Sequence, residues 1–205
     1  MMNRITISIL LVLLGLTVGC GAAARMTAAQ SQSVRTDIFT EATDAGARPQ
    51  GFADLIVKAN IKTHEAGYYI AEPEKSLHGK PGYPFVLNID GQAAVWNVDG
   101  QKDVKPAYDE QGKTSKDPEA RAGIKYILEN KLRLRHGVHK IYFALPEDEY
   151  SVETEITLRD GEQAVLEFKP LYRYKTQPTR IPTFLEGIST YEVYLNGVKI
   201  NGGSS

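Results

Sequence analysis

The sequence predicts an all-β fold, an antiparallel β-sandwich that covers residues 51–201. Three observations point to it. Apolar and polar residues alternate along many short runs, which is the period of a half-buried strand. Several runs end at an Asp-Gly or Asn-Gly pair, and such pairs commonly connect antiparallel strands. No part of this range has the apolar stripe of a long amphipathic helix. About 150 residues are enough for one hydrophobic core, so we expect a single domain.

The first strands are predicted from alternation alone. Three alternating runs open the domain, at 55–61, 85–89 and 94–98. The last two end at Asp90-Gly91 and Asp99-Gly100, which we interpret as turns. An alternative organisation makes residues 51–98 a small β-subdomain of their own. The polar stretch 100–122 that follows is the longest predicted loop.

The segment 123–135 fits two patterns. Asp117-Pro118-Glu119 has the residues of a helix start, and several apolar residues after it have helical spacing. Alternation is sustained for longer, over roughly 12 residues, from Ile124 to Leu134 on one side. The residues between them are almost all charged. We therefore predict a long strand, with at most a helical turn before it.

The second half of the domain continues with short runs. Alternation predicts strands at 139–145, 150–158, 164–168, 191–195 and 198–200. Turns separate them at His136-Gly137, 146–149, Asp160-Gly161 and Asn196-Gly197. Roughly eight or nine strands at this spacing are typical of a sandwich.

The composition excludes several classes of protein. Lys and Arg number 24 and Asp and Glu number 25, so the formal net charge is −1. We expect no nucleic-acid partner from a surface with this balance. The one cysteine, Cys20, excludes an internal disulfide and a multi-cysteine metal centre. We find no hydrolase, phosphate-loop or metalloprotease motif, so the sequence predicts a non-catalytic protein without a cofactor.

Cys20 follows a segment typical of a secretory signal. The apolar run 5–18 is about 14 residues long, shorter than the roughly 20 residues of a membrane-spanning helix. The sequence Leu16-Thr17-Val18-Gly19-Cys20 resembles a bacterial lipobox. The resemblance implies removal of the signal peptide 1–19 and acylation of Cys20 as the N-terminus of a lipoprotein. Gly21 after the cysteine implies the outer membrane.

Residues 20–50 are predicted to be the lipidated cysteine and a flexible tether. Their apolar residues are mostly alanine and cannot bury enough surface to fold. A flexible chain of about 30 residues spans roughly 30 Å. Ala22-Ala23-Ala24 offers an alternative cleavage site, which would release a soluble secreted domain that begins at Arg25. Residues 202–205 are predicted to be a disordered tail.

Residues 132–171 show a further resemblance. It lies in the run Leu132-Arg-Leu-Arg-His-Gly-Val-His-Lys-Ile-Tyr-Phe, then in Tyr150, Asp160-Gly161-Glu162 and Val165-Leu-Glu-Phe-Lys-Pro. This order of strands and turns resembles a PEGA-type domain, a small Ig-like β-sandwich of bacterial surface and envelope proteins. The resemblance implies a non-catalytic envelope module. It carries over no active-site residue.

Two groups of residues are candidate binding surfaces. The outer face of 123–135 carries a basic row to which anionic head groups or glycans can bind: Lys131, Arg133 and Arg135. The second group combines tyrosines with cations, as interfaces often do: Tyr172, Arg173, Tyr174, Lys175 and Arg180. A solvated strand face and tyrosines packed in the core are the alternatives.

The histidines predict no metal site. His136 and His139 are three residues apart, and such residues face opposite sides of a strand. His64 and His78 stand alone, outside any metal-binding motif.

The sequence therefore predicts a lipid-anchored protein of the bacterial envelope. Its sandwich would bind a protein partner or an envelope glycan. The first alternative is an envelope hydrolase whose site is assembled from distant residues such as His64, Asp90 and Glu129. The second is a secreted structural domain.

Overall fold

The computed structural model describes residues 29–42, 48–68, 72–103, 110–112, 119, 122–172, 188–200 and 203–204. In chain order its strands are β1 (Phe39–Glu41), β2 (Phe52–Thr63), β3 (Tyr83–Ile89), β4 (Gln92–Val98), β5 (Gln101–Asp103), β6 (Gly123–Arg135), β7 (Gly137–Leu145), β8 (Tyr150–Leu158), β9 (Gln163–Tyr172), β10 (Ile188–Leu195), β11 (Val198–Ile200) and β12 (Gly203–Ser204). A 3-10 turn, Pro146–Asp148, joins β7 to β8. Within these ranges we find no helix with the length and hydropathy of a membrane span.

The strands form two sheets that pack face to face. The first sheet has the order β1-β6-β2-β9-β10-β11, with β5 also paired to β6. The second has the order β12-β8-β7-β3-β4. The predicted all-β sandwich is confirmed, and each alternating run named above lies in a strand. Because β2 belongs to one sheet and β3 and β4 to the other, residues 51–98 are not a separate subdomain.

The pair β2–β6 is the longest ladder of the first sheet. Its register is continuous from Phe52 opposite Arg135 to Thr63 opposite Ile124. The alternation in 123–135 reappears as burial, because residues such as Tyr126 lie in the core while the charged residues between them face outward. The strand prediction for this segment is confirmed. The proposed helix start at 117–118 lies outside the described residues.

One strand pair departs from the antiparallel prediction. β2 and β9 are parallel, from Asp54 opposite Gln163 to Ala59 opposite Phe168. Parallel neighbours need a long connection, and here the chain makes strands of the second sheet before it returns. Alternation of side chains does not report strand direction, so the sequence pattern could not distinguish the two arrangements.

The predicted turn pairs make two kinds of connection, hairpins within a sheet and crossings between the sheets. Asp90-Gly91 and Asn196-Gly197 form tight hairpins and have positive φ at both residues. The other three pairs carry the chain from one sheet to the other: Asp99-Gly100, His136-Gly137 and Asp160-Gly161. Such crossings between sheets produce the sandwich in place of one long meander.

The core lies between the inner faces of the two sheets. Phe143 of β7 and Phe168 of β9 stack across it, with ring centroids 4.1 Å apart and planes 12° from parallel. Tyr191 packs edge-on against Phe143 and donates from its hydroxyl to the Asn60 carbonyl at 2.9 Å. Burial of each large apolar side chain contributes about 1.5–3 kcal/mol. Tyr191 of β10 is therefore part of the core.

The structure changes the predicted boundaries at both ends. β1 lies within the predicted tether and pairs with β6, with Phe39 opposite Leu134. Phe39 is buried, and its burial with the three ladder pairs offsets the ordering of this short segment. Gly203–Ser204, predicted as tail, pairs with β8. Gln101–Asp103 of the predicted loop pairs with β6. The signal segment and Cys20 lie outside the described residues.

Candidate functional site

The connection between β2 and β3 brings two histidines together at one end of the sandwich. His64 directly follows β2, and His78 lies shortly before β3. The chain comes back on itself at Gly79, whose φ is +73°. A Cβ at Gly79 would lie 2.2 Å from the Ala66 nitrogen, so only glycine permits this approach. The Gly79 N–H also donates to Thr63 Oγ1 at 3.1 Å.

Glu72 completes a group of three side chains with these histidines. Nε2 of His64 lies 3.3 Å from Oε1 of Glu72. The rings of His64 and His78 meet edge to face, with centroids 5.3 Å apart. One nitrogen or oxygen from each of the three residues lies within 4.8 Å of the other two. We call His64, Glu72 and His78 the histidine cluster. Among the described residues, it is the one group of this kind.

Neighbouring polar groups orient two members of the histidine cluster. Nδ1 of His64 lies 2.9 Å from the Glu65 carbonyl oxygen, to which its N–H donates. The other ring nitrogen, Nε2, faces Glu72. Ser76 Oγ donates to Glu72 Oε1 at 2.7 Å. The imidazole and the carboxylate therefore have fixed orientations before any ligand arrives.

Asp148 connects the second sheet to the histidine cluster. It ends the 3-10 turn after β7, and its side chain is buried. Its Oδ2 lies 3.4 Å from Nε2 of His78 and accepts a hydrogen bond from the Tyr83 hydroxyl. Burial raises the pKa of Tyr83 well above its usual value, and the Asp148 charge adds to this, so the hydroxyl stays a donor.

The same carboxylate controls the charge of His78. Burial lowers the pKa of His78, but the hydrogen bond and charge of Asp148 raise it, as do the charges of Glu72 and Glu147. The net result is a pKa above the ordinary histidine value. The cluster therefore combines two imidazoles with carboxylates in a largely buried setting, a combination that can bind cations or exchange protons.

This arrangement corrects the expectation that His64 and His78 stand alone. Their spacing matches no metal motif, and no local pattern in the sequence predicts the contact. It arises because β2 and β3 lie in different sheets and their connection folds back at the end of the sandwich. Within this connection, Gly67, Gly79 and the pair Pro81-Gly82 are turn signals, but they do not indicate which residues meet.

Two of the three residues of the predicted basic row, Lys131 and Arg133, contact a buried carboxylate. Arg133 Nε lies 2.8 Å from Asp54 Oδ1, while Lys131 and Arg48 lie 3.4 and 3.2 Å from Asp54 Oδ2. The side chain of Asp54 is only 3% exposed. Hydrogen bonds from Arg133 hold the pKa of Asp54 far below its usual value, with smaller contributions from Arg48 and Lys131. Lys131 and Arg133, two of the charges that predicted an anion-binding surface, thus bind an internal carboxylate.

The remaining candidate residues are dispersed. The Arg135 guanidinium lies 5.3 Å from the ring centroid of Phe52. Tyr172 corrects the prediction of a tyrosine-rich surface, because its side chain is buried with 6% exposure and its hydroxyl accepts from the Lys62 N–H at 2.8 Å. This burial follows from its place on the inner face of β9. Four other candidates lie outside the described residues: Arg173, Tyr174, Lys175 and Arg180.

The three residues named for a hydrolase site do not meet. His64 belongs to the histidine cluster, while Asp90 lies at the opposite end of β3 and contacts Nδ1 of His139 at 2.8 Å. Glu129 lies on the outer face of the first sheet, 3.1 Å from Lys58. The described residues therefore offer no site assembled from this trio.

A second feature of functional interest is the edge strand β4. Its seven residues contain no charge and no proline, and Val95 is 48% exposed. The other described edge strands have at most three residues each: β1, β5, β11 and β12. Proteins usually protect edge strands by shortness, charge or proline. β4 lacks all three protections.

Two contacts show which backbone groups of β4 point outward. The Ala93 N–H donates to Ser33 Oγ at 3.3 Å, so it faces away from β3. Asn97 is paired with Pro84, which has no N–H to contribute to a ladder. Because residues two apart have the same orientation, Val95 also directs its backbone groups outward. Among the described residues, no strand pairs with this side of β4.

Comparison with known proteins finds no matching family model, no matching curated protein and no matching solved structure.

Proposed function

We propose that this chain is a bacterial envelope protein, anchored in the outer membrane through acylated Cys20, that binds a protein partner without catalysing a reaction. The partner contributes an extended segment that adds to the second sheet beside β4. The edge of β4 carries this proposal, because the strand is uncharged and no described strand pairs with its outer side.

Two further observations favour a protein partner over an anionic glycan. Two of the three cations in the basic row that would attract a polyanion, Lys131 and Arg133, contact Asp54. By contrast, strand addition requires backbone groups in register and a shallow apolar contact, which Val95 supplies on the outer side of β4. The anchor would hold the sandwich near the membrane and raise its local concentration there.

Site-specific photo-crosslinking in the native host tests the proposal. A photoreactive amino acid at Val95 should give a discrete protein adduct, and the same group at Val138 should not. Val138 is a matched control because it is also an exposed valine in the second sheet, on β7. Adding Asn97→Pro should abolish the Val95 adduct, because proline removes one outward N–H yet is tolerated at an edge.

Two results would contradict this proposal. Equal adducts at both valines, or an adduct that survives Asn97→Pro, would exclude strand addition at β4. The intact mass of the protein purified from the same membranes tests the anchor. We expect the mass of a chain that begins at an acylated Cys20, whereas a mass that begins at Arg25 would exclude the anchor.

A further inference from the structure

We propose that the histidine cluster binds a divalent transition-metal ion, for which Zn²⁺ is the best match. His64, Glu72 and His78 supply three ligands, and the fourth position is left for water or for a group of another molecule. This site is separate from β4 and goes beyond the proposed function.

The donor atoms select the class of metal. Two imidazole nitrogens and one carboxylate oxygen form a mixed nitrogen and oxygen set, which suits Zn²⁺ and its neighbours among the transition metals. Ca²⁺ and Mg²⁺ prefer sites built from oxygen alone. The histidine cluster contains only one carboxylate, so we infer a transition metal in preference to these ions.

The distances fit a tetrahedral ion. Bonds of about 2.0–2.2 Å to a tetrahedral zinc place neighbouring ligand atoms roughly 3.3–3.6 Å apart. His64 Nε2 and Glu72 Oε1 are already 3.3 Å apart. The three candidate ligand atoms all lie within 4.8 Å of one another, so the His78 nitrogen is near enough to share one ion with them after a side-chain adjustment.

The outer contacts are those of a metal site. Ligating histidines commonly donate their other N–H to a carbonyl or a carboxylate, which fixes the ring. His64 makes this contact to the Glu65 carbonyl, and Asp148 lies where it can orient His78. Glu72 is oriented by the hydroxyl of Ser76.

Access to the site is also adequate. The side chains of Glu72 and His78 are partly exposed, at 12% and 18%, while His64 is buried. An ion can therefore enter from the side of Glu72 and His78 and reach Nε2 of His64 at the inner end. A partly open site of this kind can load metal after folding.

Zinc titration of the full chain tests the proposal. The parent protein carries Cys20→Ser, so that no thiol competes for zinc, and its purification tag contains no histidine. Bound metal is removed first. ZnCl₂ is then added in competition with a chromogenic chelator. We expect one zinc ion per chain. The double substitution His64→Gln and His78→Gln should weaken binding by about 100-fold or more, and Asp148→Asn by about 10- to 100-fold.

His136→Gln is the matched control, because His136 is exposed and lies outside the cluster. It should leave zinc affinity unchanged. Failure of the parent to bind zinc, equal affinity in the double variant, or a loss in His136→Gln would each overturn the proposal. If the double variant does not fold, the visible absorption of Co²⁺ added to the parent tests whether the histidine cluster binds metal. Bands of four-coordinate Co²⁺ are expected, and their absence contradicts the site. Neither result alters the crosslinking test at β4.

Discussion

Asp54 shows how a single buried carboxylate organises the outer face of the first sheet. It lies on β2 beside Arg133 and Lys131 of β6, and Arg48 approaches from the segment before β2. Three cations share one acid, so removing that acid takes away the carboxylate that all three contact. The residue is therefore a sensitive point of stability, although it lies on the face that the sequence pattern assigns to solvent.

We expect Asp54→Asn to lower the free energy of unfolding by about 3 kcal/mol at pH 7. The pKa of Asp54 is lowered in the folded protein, so its contribution is present above the pKa of the unfolded state, near 4, and declines as the pH falls below that value. The stability difference between the wild type and the variant should therefore shrink between about pH 5 and pH 2. Urea unfolding across this range measures it.

Glu129→Gln is the control on the same face. Glu129 pairs with Lys58 at 3.1 Å, but both side chains are well exposed, at 58% and 40%. Exposed pairs contribute little, so this change should alter stability by less than about 0.5 kcal/mol. A loss in Asp54→Asn that does not depend on pH would contradict the assigned role of its charge.

At the scale of strands and loops, the sequence predicts where a strand lies along the chain better than which strands or side chains it contacts. The strand 123–135 was predicted because its inward residues alternate with charged ones over its whole length, and this alternation is a local property. The parallel pairing of β2 with β9 depends on where the chain returns after the second sheet, which no local pattern encodes. The contact between His64 and His78 was missed for the same reason.

The connection between β2 and β3 allows a direct test of how a loop shapes the histidine cluster. We expect Gly79→Ala to destabilise the protein by about 2 kcal/mol or more, because the Cβ would overlap the Ala66 nitrogen and the φ of +73° disfavours alanine. The backbone must then move, and zinc affinity should fall with stability. Thermal unfolding and zinc titration measure the two effects.

Gly82→Ala separates the cost of the positive φ from the cost of the overlap with neighbouring atoms. Gly82 has a similar φ of +81°, but no atom lies within 4 Å of where its Cβ would be. It should therefore show only the conformational cost, about 1 kcal/mol, and keep its zinc affinity. Equal losses in the two variants would show that the close approach at Gly79 does not matter.

At the scale of the whole molecule, the N-terminal segment joins the two sheets. The side chain of Gln92, on β4 of the second sheet, accepts hydrogen bonds from the Ile38 and Phe39 N–H groups at 2.8 and 3.1 Å and donates to the Phe39 carbonyl at 2.9 Å. Trp96 Nε1 donates to Glu41 at 2.8 Å. β1, which belongs to the first sheet, is thus also bound to the second.

This attachment shortens the proposed tether. The Gln30 carbonyl already accepts a hydrogen bond from Asn88. If the free chain runs from Cys20 only to Gln30, its root-mean-square span is roughly 17 Å instead of the 30 Å expected for residues 20–50. Composition predicted a longer tether because residues 20–50 lack a sustained apolar pattern. The segment is attached by the buried Phe39, three ladder pairs with β6 and the hydrogen bonds of Gln92 and Trp96. Contacts this sparse leave no periodic pattern in the sequence.

Substitution of Gln92 by alanine tests whether this attachment is local. Loss of its three hydrogen bonds should cost β1 about 1–3 kcal/mol, so the amides of residues 38–41 should exchange roughly 10 to 100 times faster. The amides of the β2–β6 ladder should keep their protection, because twelve pairs hold them without Gln92. Gln101→Ala, at an exposed residue of β5, is the control and should change neither region. A uniform rise in exchange over both regions would mean that β1 is part of the cooperative core and not a separate attachment. The tether would then end before β1 whenever the sandwich is folded.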